Sequence, residues 1–181
     1  MSSSRLPPRG AEPSRPSVEP SERSYNRGRM VRFLADSNVG RLARWLRAYG
    51  YDAAYAPHVD DRLLIARAMA DGRVLLTRDA DLMRRRVVAH GTVRAVLLGS
   101  DRVEEQLRQV VAELGLAAGH ELTRCLECNV ELEPRPHSEV SDRLPPYVRA
   151  TQTRFSECPR CARVYWPGTH WERMRERLAA L

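Results

Sequence analysis

FLADSNVGRLARWLR, residues 33–47, changes its period within a few positions. Phe33, Leu34 and Ala35 close an apolar run, MVRFLA, that reads as a buried strand. Leu42, Trp45, Leu46 and Tyr49 then recur at helical spacing toward a stop near Gly50. Between the two patterns stand Asp36, Ser37 and Asn38. In open α/β sheets the residues just past a strand's carboxyl end face the ligand, which gives Asp36 a functional reading. Asp, Ser and Asn are also ordinary helix caps, so a capping reading stands beside it.

The alternation continues outward from this stretch. YDAAYA is a short, weak strand; residues 61–70 read as a second helix stopped by Gly72; RVLLT is a buried strand. DADLMRRRVVAH reads as a third helix leading through Gly91 to the strand VRAVLL, and Val103, Leu107, Val110, Val111 and Leu114 mark a fourth helix. Strand and helix in strict succession predict a parallel sheet covered by helices on both faces, an α/β domain of three layers. Beyond His120 the character shifts to short polar segments, prolines and cysteines. The expected organisation is a disordered tail over 1–29, an α/β domain over 30–120 and a metal-held module with a C-terminal helix over 121–181. The tail is assigned on its prolines, serines and lack of apolar residues. Initiation at Met30 would explain it equally well.

Charge and composition restrict the partners. The net charge of +7 across 181 residues favours a polyanion. All 30 basic residues are arginine, however, so a compositional bias accounts for part of that excess. No segment approaches the ~18 apolar residues of a membrane span, and the N-terminus has no signal-peptide core. A cytoplasmic protein with no membrane association is the expectation.

Acids recur at the same kind of place. Asp36 follows one strand, Asp79 and Asp81 follow another, and Asp60 and Asp61 begin the second helix. Carboxylates gathered at one sheet edge repel one another unless a cation lies between them, so the pattern predicts a hard divalent ion, Mg²⁺ or Mn²⁺. Arg41, Arg44 and Arg47 recur every third residue on the helix that starts at this place. Arg41 and Arg44 are candidates to hold phosphates, against the alternative of a solvated face. His58, near the second acid, reads as a loop residue.

CLEC at 125–128 and CPRC at 158–161 form two C-x-x-C pairs. Four thiolates so paired complete a closed tetrahedral Zn²⁺ site, with Cys125, Cys128, Cys158 and Cys161 as ligands; a redox disulfide is the rival reading for either pair alone, and His137 or His170 would substitute only for a failed cysteine. The 29 intervening residues contain Pro134, Pro136, Pro145 and Pro146 and predict an exposed loop. Tyr165, Trp166 and Trp171 either stack on unpaired bases or dock the module onto the α/β domain.

FLADSNVGRLARWLRAYGYD, DDRLLIARAMADGRVLLTRDADL and the paired cysteines together resemble the PIN-like RNase domain named for the C-terminal part of the Mut-seven exonucleases. The resemblance runs from about residue 31 to residue 175. It implies a PIN-like α/β fold followed by a zinc ribbon, and metal-dependent cleavage of RNA; the aromatics and arginines of the C-terminal module make single-stranded RNA the expected substrate. It also implies Asp36, Asp61 and Asp79 as the metal-site acids, Asp81 as a helper and Asp60 as the fallback for the second position. A non-catalytic RNA-binding or adaptor protein with the same fold is the alternative. A phosphotransferase would want a second acid in DSNVG, which has none.

Overall fold

The computed structural model describes residues 31–116, 122–169, 171–173 and 176. The tail expected over 1–29 and His170 lie outside the described residues.

Four strands form a parallel sheet: β1 (Phe33–Asp36), β2 (Ala53–Ala56), β3 (Val74–Thr77) and β4 (Ala95–Leu97). Their order is β2-β1-β3-β4, and every pairing is parallel. Each of β1 and β3 is buried at all four positions, because helices cover both faces and no face is left for water.

The alternation of side chains along β1 sorts the core into two layers. Phe33 and Ala35 pack with Leu42 and Leu46 of helix α1 (Gly40–Ala48), while Leu34 packs with Leu64 and Ala68 of α2 (Asp61–Asp71). Two short helices, α3 (Ala80–Met83) and α4 (Arg86–Ala89), join the α2 side through Leu82 and Val88. Helix α5 (Val103–Leu114) joins the α1 side. The third predicted helix is therefore two: the chain leaves helical geometry at Arg85, whose ψ is 129°. Gly72 ends α2 at φ 58°, a left-handed conformation that glycine adopts without penalty.

The remaining described residues form a second, antiparallel sheet of three strands in the order β5-β6-β7. These are β5 (Glu133–Arg135), β6 (Phe155–Glu157) and β7 (Val164–Tyr165). The interval between β5 and β6 is largely exposed, as its prolines predict, but it is not a loop. It holds two helices, α6 (His137–Val140) and α7 (Pro146–Thr151), with a 3₁₀ turn at Ser141–Arg143. Pro136 precedes α6 and Pro146 opens α7, positions where a missing N–H costs nothing. Val140, Leu144 and Phe155 make a small core of their own. The architecture is PIN-like α/β with a ribbon module carrying a four-cysteine cluster.

Candidate active site and cysteine cluster

In the order β2-β1-β3-β4 the chain leaves β1 in one direction and later returns on its other side, so the sheet changes winding between β1 and β3. The carboxyl edge at that point is where open α/β sheets bind ligands. Asp36 is the last residue of β1, and its residue is only 7% exposed. Its carboxylate accepts from Thr77 Oγ1 at 2.7 Å, Asn38 Nδ2 at 2.9 Å, Ser37 N at 2.5 Å and Ser37 Oγ at 3.2 Å. All of these donors are uncharged. Among the described residues no arginine pairs with it.

Thr77 connects the two strand ends. Fully buried at the end of β3, it donates to Asp36 and accepts from the backbone N of Asp79 at 3.0 Å. Asn38 makes a parallel link, since its amide donates to Asp36 and its Oδ1 accepts from Arg78 N at 3.1 Å. The turns after β1 and β3 are thereby held against each other. Asp79 Oδ1 accepts from Asp81 N at 2.8 Å and Leu82 N at 3.4 Å, capping α3. The two readings of Asp36 and Asp79 thus coexist, because each caps a turn while its carboxylate stays at the sheet's carboxyl edge.

Asp61 and Asp81 are placed differently. Asp61 pairs with Arg85 at 2.9 Å, and Asp81 pairs with Arg84 at 2.9 Å on an exposed surface. Asp60 caps α2 by accepting from Leu63 N at 3.1 Å. Among the described residues, the carboxylates are not gathered into a group of three or more within metal-holding reach. His58 sits exposed in the turn between β2 and α2.

Beside Asp36 runs an open groove of about 620 Å³, lined by Ser37, Asn38, Arg41, Arg44 and Tyr55 among others. Arg41 and Arg44 are exposed there. Arg44 also pairs with Glu127 of the first cysteine pair at 3.0 Å. Arg47 takes a different role from its neighbours in the three-residue series. It is 6% exposed and donates from Nε to Ala53 O at 2.8 Å, and from Nη1 to Leu126 O at 2.7 Å and Glu127 O at 2.9 Å. Burial lowers its pKa below the usual arginine value. It brackets α1, β2 and the cysteine module together while lining part of the groove.

The four cysteines gather as their spacing predicts. Their sulfurs all lie within 4.8 Å of one another, with Cys125 Sγ 3.7 Å from Cys161 Sγ. A tetrahedron with Zn–S near 2.3 Å has edges of about 3.8 Å, so the donor set fits such an ion. Burial would push the Cys125 thiol up, but the Tyr165 hydroxyl and the backbone N–H groups of Cys128 and Glu127 override it and bring it to about 7. Burial and the neighbouring thiols push Cys128 up to about 12. One thiol eased toward ionisation beside Cys128 and Cys158, which resist it, is an electrostatic situation that a bound cation would relieve. Tyr165 donates toward Cys125 Sγ at 3.2 Å and accepts from Leu126 N at 3.1 Å, while Trp166 packs on the small core. His137 faces Arg149 O at 3.1 Å and the Phe155 ring.

Sequence reasoning missed Thr77, Asn38 and the bracket at Arg47. The hydroxyl in LLTRD, one place before a charged pair and inside a buried run, was the available signal for Thr77.

A buried acid at the switch point of a parallel sheet, joined to a ribbon whose four cysteines are close enough to hold a metal ion, defines a PIN-like domain with a four-cysteine appendage. The model of the Mut7-C RNAse domain family matches residues 31–178, and the chain belongs to that family. No curated protein and no solved structure matches it. Among the described residues no helix is long and apolar enough to cross a membrane.

Proposed function

We propose that the protein is a metal-dependent ribonuclease acting on single-stranded RNA, with Asp36 as its central acid. One observation carries the reading: in a chain of an RNase family, a buried carboxylate at the switch point has only uncharged donors around it. A Mg²⁺ or Mn²⁺ ion commonly takes one or two protein carboxylates and completes its shell with waters and substrate phosphate. Asp36 and Asp79, which stand at the carboxyl ends of β1 and β3 with no arginine partner among the described residues, fit that requirement. Such an ion, when bound, lowers the pKa of a coordinated water and offsets charge on the phosphodiester.

The chain's own residues supply the rest. Thr77 and Asn38 fix the Asp36 carboxylate so that it does not reorganise during the reaction. Arg41 and Arg44 hold RNA phosphates in the groove, with Arg44 exchanging Glu127 for phosphate. Asp61 and Asp81 act as helper carboxylates whose charge Arg85 and Arg84 balance until substrate arrives. The cysteine cluster takes Zn²⁺ in a structural role, closed to substrate because no ligand position remains open.

The test is cleavage of labelled single-stranded RNA with Mn²⁺ present and with the ion left out. Asp36→Asn and Asp79→Asn are each expected to lower the rate by at least ~100-fold with the fold intact, since each removes a ligand charge at little change in volume. Near-normal cleavage in both would refute the assignment. The adaptor reading draws on the ion pairs of Asp61 and Asp81 and on the hydrogen-bond donors filling Asp36. It expects RNA binding that needs no divalent ion and survives both substitutions.

A further inference from the structure

Gly40 opens α1 with φ −58° and ψ −31°, an ordinary right-handed conformation open to any residue. Its backbone angles therefore give no reason for glycine. The surroundings do. A Cβ built there would stand 2.7 Å from Cε2 and Cζ of Tyr55 and 3.0 Å from its hydroxyl. The missing side chain makes a seat for that ring. The Tyr55 hydroxyl donates to Ser37 O at 3.3 Å, so the ring is held at its tip as well as against the Gly40 backbone.

Despite this seat, Tyr55 is 41% exposed, one of the few large hydrophobic side chains left open to solvent. It pairs in register with Ala35, one residue before Asp36, so it stands at the same carboxyl edge as the buried acid. It shares the groove with Arg41 and Arg44. An aromatic ring fixed on one side, open on the other, and flanked by guanidinium groups has the parts of a platform for unpaired bases, where the ring takes the base and arginines take the phosphates.

We propose that Tyr55, seated on Gly40, stacks on an unpaired base of the RNA strand whose phosphodiester lies at Asp36, making the groove selective for single strands and for purines over pyrimidines at that position. Gly40 is a positioning residue in this arrangement. The duplex is disfavoured because its bases are already stacked on each other, and purines are favoured because their larger face covers more of the ring. The proposal rests on the ribonuclease reading for its substrate and specifies which part of that substrate the groove grips.

The experiment measures binding apart from cleavage. Full-length, zinc-loaded protein carrying Asp36→Asn is titrated into fluorescein-labelled A12, U12 and a duplex of the same length, and anisotropy is read. A12 is expected to bind tighter than U12 and both tighter than the duplex. Adding Tyr55→Leu, which keeps a bulky cover over Gly40 but has no aromatic face, is expected to weaken A12 roughly tenfold and to abolish the preference over U12. Tyr55→Phe is expected to stay within about twofold of the parent, which shows that the ring and not the hydroxyl carries the effect. Gly40→Ala, which displaces the ring without removing it, should behave like Tyr55→Leu. Equal A12 affinity with and without Tyr55→Leu, or an equal loss for A12 and duplex, would overturn the stacking proposal while leaving the ribonuclease reading in place. If the parent protein binds none of the three, both readings fall. If it binds RNA as expected but the protein without Asp36→Asn fails to cut, only the ribonuclease reading falls.

Discussion

The parallel sheet and the ribbon hold themselves together by different means. Around the parallel sheet, buried apolar side chains from α1 and α5 on one face and α2, α3 and α4 on the other fill two continuous layers. The ribbon buries Val140, Leu144 and Phe155 with a few partly covered neighbours, far too little apolar area to offset the ordering of its strands and helices. Its four thiols lie close enough to supply what the core cannot if they close on the proposed ion. The boundary between the two is neither apolar nor metallic. Arg47 reaches two ribbon carbonyls, Asn129 Oδ1 accepts from Ala53 N at 2.9 Å, and Asn129 Nδ2 donates to Asp52 at 2.6 Å. Arg124 adds bonds to Gly50 O at 3.2 Å and Asn129 O at 2.9 Å. A polar seam of this kind transmits orientation without fusing the two cores.

The largest expected effect comes from breaking the four-cysteine set proposed to hold zinc. Structural zinc contributes on the order of 10 kcal/mol to modules of this size. Cys158→Ser should therefore release zinc and unfold β5–β7, while the parallel sheet keeps a cooperative melt at lower temperature. Zinc analysis combined with circular dichroism on heating checks this. A single transition that disappears entirely would show that the two regions fold as one unit.

Arg47→Met comes next. It keeps much of the apolar stem but strips the Leu126, Glu127 and Ala53 carbonyls of their donor, and hydrogen bonds to a charged group are worth ~1.5–3 kcal/mol each. The melting temperature should fall and zinc should pass faster to a chelator, both from a residue on α1 that touches no metal. Unchanged zinc release would mean that the seam does not carry coupling.

The smallest effect tests the seam's pH dependence. Burial would raise the pKa of Asp52, but Arg73 at 2.6 Å and Asn129 outweigh it and hold its carboxyl below the usual aspartate value. The unfolded chain then binds the proton more readily than the folded one. The contribution is fully present above the ordinary aspartate pKa of ~3.9, and it is lost as pH falls through the depressed folded value. Asp52→Asn should lower the melting temperature by on the order of a few degrees at pH 7. The difference from the parent should shrink below pH ~4. A difference independent of pH would assign the effect to packing alone.

Much of the parallel sheet was legible because its strands are buried on both faces. The run VLL in β3 has no polar position to confuse with a helix face, and Gly72 closes α2 where the periodicity ends. The division of α3 from α4 was hidden, since Arg84, Arg85 and Arg86 all suit an exposed helix surface and carry no breaker. The ribbon's helices were hidden because proline signals a loop as readily as a first helical turn. Three separated apolar residues show no period. Spacing alone hides the difference within the arginine series: residues three apart drift by about 60° around a helix, so Arg41 and Arg44 stay exposed while Arg47, at the same groove, is buried. The acid positions themselves, Asp36 after β1 and Asp79 after β3, could be read from the sequence. Their connection through Thr77 could not, because it depends on which strands are neighbours.

The bonds at Ala53 have a consequence for solubility. β2 is an outer strand of its sheet, and an outer strand offers unpaired backbone groups to any extended chain that approaches it. At Ala53 both groups are already taken, the N–H by the Asn129 side chain and the carbonyl by Arg47. Asn129 follows CLEC directly and sits at φ 63°, so its position depends on the knuckle staying closed. If the proposed zinc is removed, the rim of the sheet at Ala53 is expected to be uncovered, and edge-to-edge self-association at high concentration, read by light scattering after chelation, is the expected outcome.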